Sequence, residues 1–137
     1  MDKKKYLNMN TSVLAFMGDA VYETYIRAHV IESGKTHAEK LHKDAVKFVR
    51  AEAQSAALKL ILESLSQEEF SLVKRARNKK SSSKPKNVDP VDYKWATALE
   101  ALIGYLYISR QIERMEEIIN DIILKIGEIN GEKTGEK

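Results

Sequence analysis

The sequence predicts an all-α protein, and three observations lead to that prediction. Apolar residues recur at three- and four-residue steps through several long segments. No segment shows the apolar–polar alternation between hairpin turns that marks a half-exposed strand. Both prolines, Pro85 and Pro90, fall in one short stretch, so no proline interrupts the helical patterns from within. With 137 residues, of which 43% are hydrophobic and 31% charged, the chain is expected to be a single folded domain over residues 1–126 with a flexible tail over 127–137.

The helices are predicted in order. Asn10, Thr11 and Ser12 all offer capping side chains before a helix over 12–29, with Val13, Phe16, Met17, Ala20, Val21 and Thr24 as its apolar positions and Ser33-Gly34 as its stop. Thr36 and Glu39 have capping-box spacing ahead of a helix through Leu41, Ala45 and Phe48. An Ala- and Leu-rich helix is expected over 50–65, and pattern alone leaves open whether it joins the preceding one. Ser66 and Glu69 form a second capping box, opening a helix through Phe70, Leu72 and Val73. The loop SSSKPKNVDP follows. The next helix starts near Val91-Asp92 and buries Trp95, Leu99, Leu102, Ile103 and Leu106, and the last runs over 112–126 with Ile118, Ile119, Ile122 and Ile123 inward.

Composition excludes several classes. The chain has no cysteine, which removes disulfides and thiolate metal sites. No apolar run reaches the length of a membrane span, and the first residues lack the apolar segment of a signal peptide, so a cytoplasmic protein is expected. The net charge of +3 is unevenly placed. KRARNKKSSSKPK holds seven basic residues and no acid, while the rest of the chain has 16 basic against 20 acidic residues. Lys74, Arg75, Arg77, Lys79, Lys80, Lys84 and Lys86 are therefore the candidates for contact with nucleic-acid phosphates.

One anomaly occurs twice. VLAFMGDAVYE is an apolar helical run with Gly18-Asp19 at its centre, and a second run sets Glu100 one turn before Gly104. A glycine inside a helix costs roughly 1 kcal/mol relative to alanine, and two such glycines are best explained by a close helix crossing. Asp19 and Glu100 would then face each other. A lone carboxylate in such a run most often pairs with Arg or Lys, but two brought together in a partly dry site call for a divalent cation. Glu23, a turn after Asp19, reads first as a surface residue and second as an outer helper. His29, His37 and His42 do not share a helix face, and there is no Gly-rich phosphate loop or Ser-His-Asp set.

LAFMGDAVYE with LEALIGYLY downstream resembles the paired signature helices of the ribonuclease III family, and RARNKKSSSKPKN before the second motif is similar to its mini-ribonuclease III branch. The resemblance spans about Leu14 to about Ile126. It implies an all-α, ribonuclease III endonuclease-domain-like fold, a homodimer, and magnesium-dependent cleavage of double-stranded RNA leaving 5′-phosphate and 3′-hydroxyl ends. Asp19 and Glu100 are implied as catalytic and metal-holding residues, with manganese able to replace magnesium. Ribosomal RNA precursor of the large subunit is the implied substrate, and no double-stranded-RNA-binding domain is expected. The larger members of the family have further acids, and the corresponding positions here include Ser12 and Thr97. A chain without those acids has a second expected role, as a non-catalytic RNA-binding or ribosome-associated protein, against which the retention of both Asp19 and Glu100 argues.

Overall fold

In the computed structural model, which describes residues 3–34, 36–80 and 87–134, the chain folds into seven α-helices and one 3-10 turn, with no strand among the described residues. They are α1 (Lys3–Leu7), α2 (Thr11–Glu32), α3 (Ala38–Val49), α4 (Ala51–Leu60), the 3-10 turn Leu62–Ser64, α5 (Gln67–Asn78), α6 (Pro90–Ile108) and α7 (Ile112–Thr134).

Helix ends follow from side chains that satisfy backbone groups left over at the termini. Asn10 Oδ1 accepts a bond from Ser12 N at 2.8 Å, which starts α2 at Thr11. The predicted box of Ser66 and Glu69 forms in both directions, at 2.8 and 3.1 Å. Asp89 caps α6 through Val91 N at 2.8 Å, and Pro90 occupies the first helical position, where a missing N–H costs nothing. The box expected from Thr36 and Glu39 does not form. The helix begins later, at Ala38, with His37 as an N-cap that makes no side-chain bond. At the end of α6, Arg110 takes a left-handed conformation (φ 65°) and Gln111 N reaches back to Leu106 O at 2.8 Å.

The segment expected as one helix over 50–65 is divided. Arg50 is extended (φ −69°, ψ 152°), α4 stops at Leu60, and the 3-10 turn completes the stretch. The break frees two carbonyls at the end of α3, and side chains from elsewhere take them up. Tyr22 Oη donates to Phe48 O at 2.7 Å, and Gln54 Nε2 donates to Val49 O at 3.0 Å. Farther along, Arg114 ties α7 to α5 and the 3-10 turn. Its guanidinium bonds both oxygens of Glu69 at 2.8 and 2.9 Å and the Ser64 carbonyl at 2.8 Å. Burial pushes the Glu69 carboxyl up, but the bonds from Arg114 and Ser66 outweigh it and leave the group below its ordinary range.

The core surrounds α6, which packs on α2, α4, α5 and α7. Leu99, Leu102, Ile103 and Leu106 are buried as predicted, against Leu14, Tyr22, Ile26, Leu58, Leu72, Met115 and Ile118. Trp95 is only partly buried. The face assigned to α2 needs correction. Its buried stripe is Leu14, Gly18, Val21, Tyr22, Ile26 and Val30, while Val13, Phe16, Ala20 and Thr24 are exposed and Met17 is half-buried. This helix has apolar residues on two sides, so periodicity alone cannot say which side turns inward. The stretch from 127, expected to be a flexible tail, continues α7 as helix through Thr134.

The crossing of α2 and α6 is set by the two glycines. A Cβ on Gly18 would run into the backbone carbonyl of Glu100, and one on Gly104 into the backbone carbonyl of Leu14. Backbone lies against backbone on both sides, so neither helix can yield by rotating a side chain. Gly18→Ala should therefore lower stability by about 3 kcal/mol in denaturant melts, although alanine is the better helix former. A stability equal to or above wild type would show that the crossing is loose.

Candidate active site

The crossing brings Asp19 and Glu100 together, as the paired glycines predict. The two carboxyl groups are within hydrogen-bonding reach, and Glu100 feels the charge of Asp19. Their burial differs from expectation. Asp19, expected in a partly dry site, is exposed, and Glu100 is the half-buried member. The reason is the turn of α2: Gly18 faces α6, and the next residue already points toward the rim. Among the described residues neither acid has a Lys or Arg partner.

The Glu100 carboxyl is pushed up to about 8, first by burial, then by the Asp19 charge and by a hydrogen bond in which it is the protonated partner. The charge of Glu23 adds to this, and a hydrogen bond from Gln54 works against it. Glu23 itself is paired with Arg27 at 2.9 Å. Tyr22, buried beside Glu100, has its phenol raised by burial and by the Glu100 charge.

Gln54 is the residue that sequence reasoning missed. It is buried in α4, donates to Val49 O, and lies within hydrogen-bonding reach of Glu100. Its Oε1 has no hydrogen-bond partner. A buried glutamine amid alanines and leucines was the available signal, since a buried amide needs partners. Among the described residues no three His, Cys, Asp or Glu side chains are arranged to hold a metal ion together.

The basic residues predicted for RNA contact are not alike. Lys74 and Lys80 are exposed. Arg75 is held within the fold, donating to Leu7 O at 2.9 Å and Met9 O at 3.0 Å, and so secures the segment between α1 and α2. Arg77 stands over the Trp95 ring at 5.0 Å, a ring it shares with Lys59 at 5.4 Å. Lys79 Nζ donates to Asn10 Oδ1 at 2.7 Å and Ser12 Oγ at 2.9 Å. Lys84 and Lys86 lie outside the described residues. No helix among the described residues is long and apolar enough to cross a membrane.

The all-α fold is that of a ribonuclease III domain. The sequence description of that domain matches residues 12–111, from the start of α2 to the end of α6, and the chain belongs to the ribonuclease III family. Within it, the chain is similar to the Mini-ribonuclease 3 of Enterococcus faecalis, 43% identical over 129 residues that cover 93% of this chain and 98% of that protein. The Mini-ribonuclease 3 of Brevibacillus brevis is 49% identical over 110 residues, 80% of this chain and 82% of the relative. The crystal structure of a Fusobacterium nucleatum protein superposes with a TM-score of 0.76 at 36% identity, covering 86% of this chain and 94% of that one.

The raised Glu100 carboxyl has a consequence for stability. Below about pH 4.5 the group is protonated both folded and unfolded. Between about 4.5 and about 8 the folded chain keeps a proton that the unfolded chain releases, so stability falls as pH rises through that window and levels off above it. Without divalent cations, the melting temperature should therefore drop between pH 5 and 8. Glu100→Gln should flatten the drop and melt several degrees above wild type at pH 8. A variant melting below wild type there would show that the ionised acid is not strained.

Proposed function

We propose that this member of the ribonuclease III family is a magnesium-dependent endoribonuclease that cuts double-stranded RNA as a homodimer, with Asp19 and Glu100 as its catalytic, metal-holding residues. The observation behind the proposal is the pair of carboxylates at the α2–α6 crossing, brought together with no Lys or Arg beside them among the described residues. The donor set fits magnesium, which keeps much of its water shell and is commonly held by only one or two carboxylates. The orphaned Gln54 Oε1 supplies a further oxygen acceptor in the same corner. Manganese, with the same preference for oxygen ligands, would substitute.

The ion would supply Lewis-acid stabilisation of charge on the phosphoryl group and a lowered pKa for a coordinated water. The protein's own residues divide the remaining work. Asp19, at the exposed rim, is placed to meet the phosphate; Glu100 is set behind it and oriented by Gln54. Glu100 must be ionised to act as a ligand, so activity should rise with pH through the neutral range. Hydrolysis adds water at phosphorus and breaks the bond to the 3′ oxygen, which takes the proton, leaving 5′-phosphate and 3′-hydroxyl ends. Lys74, Lys80, Lys84 and Lys86 are the residues we assign to RNA phosphates, with Arg75, Arg77 and Lys79 holding the platform from which they act. We further propose that it acts in the cytoplasm on a precursor of large-subunit ribosomal RNA.

The homodimer accounts for the outward face of α2. Phe16 is 81% exposed and Val13 50%, with Met17 and Ala20 on the same side. A second copy, related by twofold symmetry, would cover this apolar strip and set two catalytic pairs against one duplex.

Purified protein should cleave duplex RNA in magnesium and stop when EDTA is added. Asp19→Asn should lose at least a thousandfold in rate while keeping its circular dichroism spectrum and its affinity for RNA. Full cleavage by that variant would overturn the assignment. Phe16→Ala should move the protein from dimer toward monomer in light scattering at micromolar concentration, and an unchanged mass would place the interface elsewhere.

A further inference from the structure

A second pocket lies along the same two helices, toward their N-terminal ends. It encloses about 100 Å³ and is lined by Thr11, Ser12, Lys79, Lys80, Lys94 and Thr97, with Tyr93 and Ala76 closing its sides. Three ammonium groups and several hydroxyls around a space of this size form a site for a tetrahedral oxyanion, with no acid among the described residues lining it.

Two details mark it as built rather than incidental. Thr11 is only 5% exposed, yet its hydroxyl makes no hydrogen bond among the described residues. That hydroxyl is not among the buried polar atoms left without a partner, so it is open to the pocket it lines. Lys79 is also held in place: Asn10 Oδ1 and Ser12 Oγ accept two of its three ammonium hydrogens, which leaves one for a ligand. The backbone amides at the start of α2 are not the source of the site, since Ser12 N, Val13 N and Leu14 N already bond within the cap.

The geometry points to a phosphate-binding subsite in this pocket that takes a backbone phosphate of the RNA strand next to the one being cut. This deepens the ribonuclease reading and rests on it for the identity of the ligand. Thr97 precedes Glu100 by three residues, roughly 4.5 Å along α6, and Ser12 precedes Asp19 by seven, roughly 10 Å along α2. The pocket therefore reaches within one helical turn of Glu100 along α6. The pocket also gives a role to Ser12 and Thr97, whose side chains line it. Hydroxyls at those positions donate to a phosphate oxygen, whereas carboxylates would repel it. Lys94, on α6 beyond the basic run, becomes a binding residue that charge counting along the sequence does not single out.

Two measurements on the full chain test the assignment, both in EDTA so that no cleavage occurs. Inorganic phosphate titrated against labelled protein should shift the amide signals of Thr11, Ser12, Lys80 and Thr97 saturably, while chloride at equal ionic strength should not. In duplex-RNA binding, Lys94→Gln should weaken affinity about tenfold and reduce the slope of log affinity against log salt by about one, as expected for one lost phosphate contact. Thr97→Val, nearly isosteric, should weaken binding without changing the slope, and inorganic phosphate should compete with RNA in the wild type. Absence of the amide shifts would overturn the pocket. So would shifts accompanied by an unchanged salt slope in Lys94→Gln, which would mark a free-phosphate site rather than an RNA subsite. Failure of the ribonuclease reading shows separately, as absence of magnesium-dependent cleavage by the wild type. Should Lys94→Gln fold poorly, the wild-type titration still decides whether phosphate enters the pocket.

Discussion

The structure depends on the backbone contact between Gly18 and Gly104. At this point α2 and α6 approach until each glycine's missing side chain is replaced by a carbonyl of the other helix. Asp19 follows one of these glycines directly, and Glu100 supplies the carbonyl against the other helix. The crossing therefore fixes where the two acids leave their helices. Packing holds them together against their electrostatic preference, and α6, buried among four neighbouring helices, has no freedom to relieve the strain.

The interruption between α3 and α4 belongs to the same construction. The end of α3 leaves two carbonyls without helical donors, and Tyr22 and Gln54 bond to them. Both side chains also border Glu100. The irregular residue Arg50 thus lets α4 turn so that Gln54 reaches the acid while remaining anchored at its other end. Support for the site comes from rigid helices rather than from loops, which suits a reaction needing ligand oxygens held to fractions of an ångström.

Much of this was legible in the chain itself. The helical class, the capping box of Ser66 and Glu69 and the buried stripe of α6 follow from local pattern. The meeting of Asp19 and Glu100 follows from two glycines whose helical cost requires a reason. Other features were not local. Val13, Phe16 and Ala20 are as apolar as the residues that α2 buries, so only the tertiary contact decides which side is core. Asp19 looked buried because its neighbours are apolar, yet the helix turns it to the rim. Gln54 joins the site from a helix whose sequence advertises nothing but packing. The basic run looked uniform, but Arg75 and Arg77 have partners from α1 and α6 that sequence proximity does not reveal.

The proton on Glu100 makes folding itself an acid–base reaction. At neutral pH an unfolded chain has this carboxylate ionised, whereas the metal-free native chain holds it neutral. Refolding in weakly buffered water would therefore draw a proton from solution and leave the medium slightly more alkaline, with the heat of reaction depending on the buffer that supplies it. Occupation of the acid pair by a cation would return that proton. The protein would thus take up one proton as it folds and give one back as it binds the ion.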